Sequence, residues 1–171
     1  MERVFLALGS NVGDRLEFLQ AAVREVGGLD GVHVSAAAPV YETEPVGVRE
    51  QSWFLNTVVE IETTVEPGAL LRKLKALERR IGRSAGKRWG PREIDIDVIL
   101  YGSRLVRGPD FEIPHREFRI RRFVLVPLAD LAGDVIDPAS GKTIVELLAR
   151  LDDPARVHPT PHRLMISTRE S

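Results

Sequence analysis

The order in which strand and helix patterns alternate over about the first hundred residues constrains this fold more than any other feature. Apolar residues recur with a helical period after Asp14, as far as Gly27, and again from Pro67 to Ile81. Short apolar or β-branched runs typical of strands occupy residues 4–8, 32–41, 53–64 and 93–100. The order is β-α-β-β-α-β, which predicts an α+β protein with a ferredoxin-like antiparallel sheet and helices packed on it.

The sequence after residue 100 predicts C-terminal additions to this core. Its patterns indicate a hairpin over Arg104–Phe111, a proline-bounded segment over 114–127 and a helix near Ile144–Leu151. Proline, histidine and arginine are frequent from Pro154 onward, which favours irregular chain. We therefore predict a single domain over residues 1–155 and a C-terminal tail over residues 156–171.

Composition excludes several functional classes. The chain has no cysteine, so a disulfide scaffold, a thiol nucleophile and any cysteine-ligated metal site are excluded. No apolar stretch approaches the roughly 18 residues of a membrane span, and the first residues lack the pattern of a signal peptide. The net charge of −1 provides no overall attraction for nucleic acid. We therefore expect a cytoplasmic monomer without a membrane or nucleic-acid partner.

Two carboxylates in the run Glu93–Val98 provide the clearest indication of chemistry. Side chains alternate along a strand, so Asp95 and Asp97 should project from one face while Ile94 and Ile96 enter the other. Carboxylates this close repel each other unless a cation lies between them, and hard oxygen ligands suit Mg²⁺ with substrate phosphates completing its coordination. The alternative is the solvated face of an ordinary amphipathic strand.

A glycine-rich basic loop over residues 82–92 leads into this strand. Residues 72–92 together hold nine basic residues and a single acid, Glu78. Guanidinium groups beside metal-binding carboxylates are typical of phosphoryl transfer, in which catalysis consists mostly of positioning and charge neutralisation. A solvated helix face would give a similar charge count.

Several single residues have two open interpretations each. Trp89 can stack on a base or pin the basic loop to the body of the protein. His115 can contact a ligand or act as a structural donor. Phe54 and Asn56 occupy alternate positions of one strand, where they can stack on and read a heteroaromatic ring, or serve as a core aromatic and a strand-end amide.

The run Arg88–Asp97, with the letters RWGPREIDID, resembles the signature of the 6-hydroxymethyl-7,8-dihydropterin pyrophosphokinase family of folate biosynthesis. Further matching segments are spread over residues 3–150. They are Leu8–Asn11 with Gly13-Asp14, Tyr41–Pro45 with Gly47, Phe54–Asn56, Glu78 with Gly82-Arg83, Pro114-His115, Arg121, Phe123–Leu125 and Pro127-Leu128. The resemblance implies a ferredoxin-like α+β fold. It also implies transfer of the β,γ-pyrophosphoryl group of ATP to the hydroxymethyl oxygen of the dihydropterin, with release of AMP.

The resemblance also implies roles for individual residues. Asp95 and Asp97 would hold two Mg²⁺ ions as catalytic residues, with Asp95 also close to the substrate. The ATP-binding set would be Glu78, Arg83, Lys87, Trp89, Arg92, His115 and Arg121, of which Arg83 and Arg92 would also be catalytic. Phe54 and Phe123 would sandwich the pterin, and its polar edge would be read by Asn56 with the backbone of Thr43 and Val46.

One departure from the family pattern concerns the basic loop. The arginine that usually follows Arg83 closely is missing, and Ser84–Lys87 fills a loop that is one residue short. Either Lys87 takes over that phosphate contact or the contact is lost.

Two alternative functions differ in what they require. Another Mg²⁺-dependent nucleotidyl or phosphoryl transferase would use the two aspartates without needing Phe54, Asn56 and Phe123 to converge. A ferredoxin-like RNA-binding module would carry paired aromatics on the central strands of its open sheet face. The run Glu93–Asp97 instead places acids on its strand.

Overall fold

A computed structural model describes residues 1–47, 50–82 and 93–167 of the chain. In chain order its helices and strands are β1 (Glu2–Ser10), α1 (Arg15–Gly27), β2 (Val32–Ala37), β3 (Tyr41–Thr43), β4 (Phe54–Thr63), α2 (Pro67–Ile81), β5 (Asp95–Tyr101), β6 (Val106–Arg107), β7 (Glu112–Ile113), α3 (Arg122–Ala132), α4 (Ile144–Arg150) and β8 (Val157–Pro159). A short 3₁₀ turn, Phe118–Ile120, precedes α3. No helix in these described ranges is both long and apolar enough to cross a bilayer.

One antiparallel sheet forms the centre of the molecule. Its strands are ordered β5-β1-β4-β3-β8, and β2 also pairs with β4, beyond the segment that β3 occupies. The strands β6 and β7 form a separate small hairpin. Strand β6 lies within the predicted hairpin Arg104–Phe111, and β7 begins one residue beyond its end. A mixed protein with helices packed on an antiparallel sheet confirms the predicted fold class at this level.

Helices cover both faces of the sheet. On β1, Val4 and Leu6 enter a core beneath α1 and α2, which we call the α2 face, and Phe5 enters a second core beneath α3 and α4, the α3 face. The helix starts follow the sequence, because Asp14 accepts a hydrogen bond from the backbone of Glu17 at 3.2 Å and Pro67 occupies the first turn of α2.

Two segments differ from the sequence-based prediction. The expected strand over 32–41 is split into β2 and β3, because Pro39 lacks the N–H that a continuous ladder requires. Residues 114–127, expected only as a proline-bounded segment, contain the start of α3, with Pro127 inside the helix. The proline disguised the helical pattern, since it normally ends a helix.

The prediction of irregular chain after Pro154 is wrong for Val157–Pro159. These residues form β8, which pairs with β3 and becomes an edge strand of the main sheet. Proline is tolerated at a sheet edge because its missing N–H faces no partner. The tail therefore lies beside the segment that leads from β3 into the loop after Thr43.

A buried ion pair fixes the segment between α3 and α4. The carboxylate of Asp137 is fully buried and accepts two hydrogen bonds from the guanidinium of Arg119, at 2.5 and 2.9 Å. Burial alone would raise the pKa of Asp137, but hydrogen bonds from Arg119, Ser140 and Ala139 outweigh it and lower the pKa to about 2. The folded protein therefore holds Asp137 ionised at neutral pH.

We expect Asp137→Asn to lower the free energy of unfolding by about 2–3 kcal/mol at pH 7, because it leaves Arg119 without its charged partner. The folded-state pKa lies below the unfolded value of about 3.9, so this contribution is fully present above pH 4 and declines toward pH 2. Urea unfolding at pH 7, 4.5 and 3 measures it, with the exposed Asp134→Asn as control. A difference that does not shrink at pH 3 would contradict the assignment.

Candidate active site

A cavity of about 250 Å³ opens on the α3 face of the sheet. Five separate segments contribute to its wall, and each can be represented by one residue: Gly9 of β1, Thr43 of β3, Asn56 of β4, Asp95 of β5 and Phe123 of α3. The sheet pairing explains this convergence, because Gly9 lies opposite Asn56 on one side and opposite Asp95 on the other.

The two aspartates of β5 share this cavity, as their spacing predicts. Asp95, Asp97 and Ile99 line it, while Ile96 and Val98 point into the core of the α2 face. On β1, Gly9 lies opposite Asp95 and Ala7 lies opposite Asp97. A glycine and an alanine at these positions leave space beside the carboxylates. Such a donor set suits Mg²⁺, which binds proteins through one or two carboxylates and takes its remaining ligands from water and phosphate.

An aromatic and a buried amide stand beside the carboxylates on β4. Phe54 and Asn56 both line the cavity, and Asn56 is only 7% exposed. Its Nδ2 donates a hydrogen bond to Oγ1 of Thr43 at 2.6 Å, which fixes the orientation of the amide. The fixed amide keeps one N–H and its carbonyl oxygen for other partners.

The start of α3 completes the cavity. Phe123 lines it, and the guanidinium of Arg121 lies 5.6 Å from the centre of the Phe123 ring. Arg121 also forms an ion pair with Glu117, one turn earlier. A positive charge and an aromatic ring thus line the same cavity as the two carboxylates of β5.

A second, larger cleft of about 900 Å³ adjoins the first. Asp97 lines both, and the cleft is further lined by Lys75 of α2, His115 and the hairpin β6–β7. Burial is the main cause that lowers the pKa of His115, and Arg121 and Lys75 add to it while Asp97 and Glu117 oppose it. The backbone N–H of Glu117 donates to Nδ1 of His115 at 3.1 Å, so a neutral imidazole carries its proton on Nε2.

Glu78 stands behind the carboxylate strand and lines neither cavity. Its Oε1 accepts hydrogen bonds from the backbone N–H of Ile96 at 2.7 Å and from Nζ of Lys75 at 3.0 Å. It therefore ties α2 to β5 between the two aspartates. Sequence reasoning assigned Glu78 to ATP, and that role stays a prediction.

The structure brings most of the predicted site residues together. The first cavity is lined by Thr43, Val46, Phe54, Asn56, Asp95, Asp97, Arg121 and Phe123, and His115 lines the adjoining cleft. The predicted positions Arg83, Lys87, Trp89 and Arg92 lie outside the described residues. Among the residues that are described, no group of three or more His, Asp or Glu side chains could hold a metal ion by itself.

Two contacts within the site were not predicted from the sequence. A β-carbon at Gly9 would lie 2.4 Å from Oδ1 of Asn56, so the amide can occupy its position only because residue 9 is glycine. Lys75 reaches Asp97 from α2, with Nζ 3.7 Å from Oδ1. Both contacts depend on how distant segments pair or pack, which periodicity does not reveal.

Comparison with known proteins agrees with this geometry. Residues 5–133 match the family model described as 7,8-dihydro-6-hydroxymethylpterin-pyrophosphokinase (HPPK). A 2-amino-4-hydroxy-6-hydroxymethyldihydropteridine pyrophosphokinase of Methylorubrum extorquens is 43% identical over 152 residues, covering 89% of this chain and 95% of that protein. The protein of the same name from Pseudomonas aeruginosa is 40% identical over 149 residues, covering 87% of this chain and 91% of the other.

A solved structure shows the same fold. The crystal structure of Plasmodium falciparum HPPK-DHPS wild type with STZ-DHP aligns with a TM-score of 0.70 at 16% identity. The alignment covers 86% of this chain and 43% of that longer chain, so the present chain spans less than half its length. At this identity the likeness concerns the fold alone. With most of its length matched to the family model and relatives above 30% identity along nearly their whole length, the chain belongs to the 7,8-dihydro-6-hydroxymethylpterin-pyrophosphokinase family.

Proposed function

We propose that this chain transfers the β,γ-pyrophosphoryl group of ATP to the hydroxymethyl oxygen of 6-hydroxymethyl-7,8-dihydropterin in folate biosynthesis, releasing AMP. The observation that carries the proposal is the convergence of Phe54, Asn56 and Phe123 on the cavity that also holds Asp95 and Asp97. Phe54, Asn56 and Phe123 suit a flat heteroaromatic ring, and Asp95 and Asp97 suit a polyphosphate with its cations. The reaction needs these two groups of residues side by side. Membership of the family supports the same reaction.

In this proposal the pterin ring would lie between Phe54 and Phe123. Stacking between flat rings contributes roughly 0.5–1.5 kcal/mol beyond the apolar area buried. The amide of Asn56, held by Thr43, presents a donor and an acceptor together, which complements the N–H and C=O of a cyclic amide. Val46 lines the same cavity from the loop after β3, where its backbone would also contact the polar edge of the ring.

The triphosphate is placed across Asp97, because this residue lines both the first cavity and the adjoining cleft. Asp95 and Asp97 would hold Mg²⁺, two ions by family resemblance, which neutralises phosphate charge in the transition state. Arg121, which lines the first cavity, and His115, which lines the adjoining cleft, would contact phosphate oxygens. Arg83, Lys87, Trp89 and Arg92 complete this ATP-binding set as predictions outside the described residues.

The protein then acts mainly by positioning. The pterin hydroxyl would sit at the border of the two cavities, near Asp95 and Asp97, where it can attack the β-phosphorus in line with the leaving AMP oxygen. A new O–P bond forms to the pterin, the bond from the β-phosphorus to the oxygen of AMP breaks, and the proton of the hydroxymethyl group is released to solvent.

We further propose that the sheet contains a ferredoxin-like core with additions. The order β5-β1-β4-β2, with α1 and α2 on one face, is the arrangement expected of a ferredoxin-like core. On that interpretation β3, β8, α3 and α4 are additions to the core. The domain over residues 1–155, the monomeric state and the cytoplasmic location stay predictions from the sequence.

Acceptor specificity tests the proposed function. The protein is incubated with ATP, Mg²⁺ and either 6-hydroxymethyl-7,8-dihydropterin or an analogue with methyl in place of hydroxymethyl. We expect AMP to form with the first compound alone, and the analogue to inhibit by occupying the same cavity. AMP formation at equal rates with the analogue, or without any pterin, would show that the hydroxymethyl group is not the acceptor.

A substitution at Gly9 tests the pterin-reading amide. Gly9→Ala places a methyl group 2.4 Å from Oδ1 of Asn56, so the amide must move away from the position that Thr43 gives it. We expect KM for the dihydropterin to rise about tenfold, equivalent to about one hydrogen bond, while KM for ATP changes little. Gly68→Ala on α2, where the nearest atom is 3.6 Å away, is the matched control. Equal increases in both KM values would contradict the prediction.

A further inference from the structure

A lysine reaches the carboxylate site from the opposite helix. Nζ of Lys75, on α2, lies 3.7 Å from Oδ1 of Asp97 and 3.0 Å from Oε1 of Glu78. The Lys75 side chain is 47% exposed, and both of its partners are carboxylates. An ammonium group in such surroundings carries its positive charge at neutral pH, as lysine ordinarily does.

The position of this cation is set by the backbone of β5. The Oε1 atom of Glu78 accepts the N–H of Ile96 at 2.7 Å, so the carboxylate is anchored to the strand between the two aspartates. Because Lys75 donates to the same oxygen, its ammonium group is held beside Asp97. Asp97 remains 38% exposed and lines both cavities, so the contact does not close the site.

The ammonium group of Lys75 would affect how the site binds divalent cations. A divalent cation placed at Asp97 would stand close to the ammonium of Lys75, and like charges at such distances repel each other. A triphosphate changes this balance, since its negative charges attract both the divalent cation and the ammonium group. Binding of the cation without nucleotide is then opposed, and binding together with nucleotide is favoured.

We propose that Lys75 is a positioning residue that acts as the counter-cation of Asp97 in the nucleotide-free protein and makes divalent-cation binding depend on nucleotide. This inference rests on the proposed function for the identity of the nucleotide site. Its consequence is an order of binding. The divalent cation would enter the site mainly as its complex with ATP, and only weakly as the free ion.

Manganese binding in the absence of nucleotide tests this proposal. The full chain is titrated with Mn²⁺, and the free ion is measured by electron paramagnetic resonance. We expect Lys75→Gln to bind Mn²⁺ about tenfold more tightly than the wild type at low salt, and the difference to shrink at high salt because charge interactions are screened. Lys73→Gln is the matched control, because it removes the same charge from an exposed position on the same helix.

A second variant separates charge from shape. Lys75→Arg keeps the positive charge, so its Mn²⁺ affinity should stay close to that of the wild type. Identical titrations for wild type and Lys75→Gln, including undetectable binding in both, would overturn the proposal, as would weaker binding by Lys75→Gln. The AMP assay with wild-type protein is independent of this comparison, so a failure of the proposed function and a failure of the Lys75 role give different results.

Discussion

Replacing Asp97 with alanine should lower turnover by about a thousandfold or more while the protein stays folded. Asp97 lines both the pterin cavity and the adjoining cleft, so its loss removes a cation ligand at the point where both substrates meet. A metal ion at a reacting phosphate contributes several kcal/mol to transition-state stabilisation, which corresponds to a factor of about 10³ or more. The folded state should lose well under about 1 kcal/mol, because Asp97 and its ion-pair partner Lys75 are both partly exposed, and ion pairs reached by solvent contribute little to stability.

Steady-state kinetics and urea unfolding of the same preparation measure the two effects of Asp97→Ala. Asp30→Ala, at an exposed position in the turn before β2, is the control for loss of a surface carboxylate. An Asp97→Ala enzyme that keeps more than about a tenth of the wild-type rate would show that this carboxylate does not hold an essential cation.

Asn56→Ala should lower kcat/KM for the dihydropterin by about a hundredfold and leave ATP binding nearly unchanged. The substitution removes the donor and the acceptor that face the ring, and it leaves the hydroxyl of Thr43 without its 2.6 Å partner in a buried position. Two lost hydrogen bonds and the altered wall together correspond to roughly 2–3 kcal/mol. Calorimetric titration with each ligand separates the two affinities.

A second substitution at the same position isolates the donor. In Asn56→Asp the hydroxyl of Thr43 can donate to the new carboxylate, so the packing of the pair is kept while the N–H toward the ring is lost. Most of the loss of pterin affinity should therefore persist in Asn56→Asp. Equal losses for pterin and ATP in Asn56→Ala would mean that the residue supports the fold of the cavity as a whole.

The carboxylate strand and α2 were predictable because their patterns are local. Alternation along β5 separates Asp95 and Asp97 from Ile96 and Val98, since the side-chain period of a strand is two. Helix α2 begins at Pro67 and ends before Gly82, as the terminal residues predict. These features need no knowledge of what packs against them.

Other parts of the site depend on contacts between distant segments. The fit of Gly9 against Asn56 follows from the register of β1 on β4, which a single sequence does not specify. Helix α3 was hidden by Pro127, and Phe123 was therefore predicted only through family resemblance and not through helical periodicity. The pairing of β8 with β3 depends on an unfilled sheet edge that exists only after the rest of the sheet has formed.

The two alternative functions, an RNA-binding module and another phosphoryl transferase, would require different side chains at this site. An RNA-binding sheet needs aromatic side chains on its open central strands, whereas Asp95 and Asp97 project from β5 into the cavity beneath α3. A phosphoryl transferase without a pterin substrate would not require Phe54, Asn56 and Phe123 to line one cavity. The geometry therefore favours the pyrophosphokinase over both alternatives.

Tracing the phosphorus atoms of ATP tests the proposed reaction most directly. The protein, Mg²⁺ and the dihydropterin are incubated with ATP labelled at the α-phosphorus or, separately, at the γ-phosphorus, and the products are separated by chromatography. We predict that the α-label appears in AMP and the γ-label in a pterin diphosphate, in equal amounts. Formation of ADP together with a pterin that carries a single phosphate would contradict transfer of the pyrophosphoryl group.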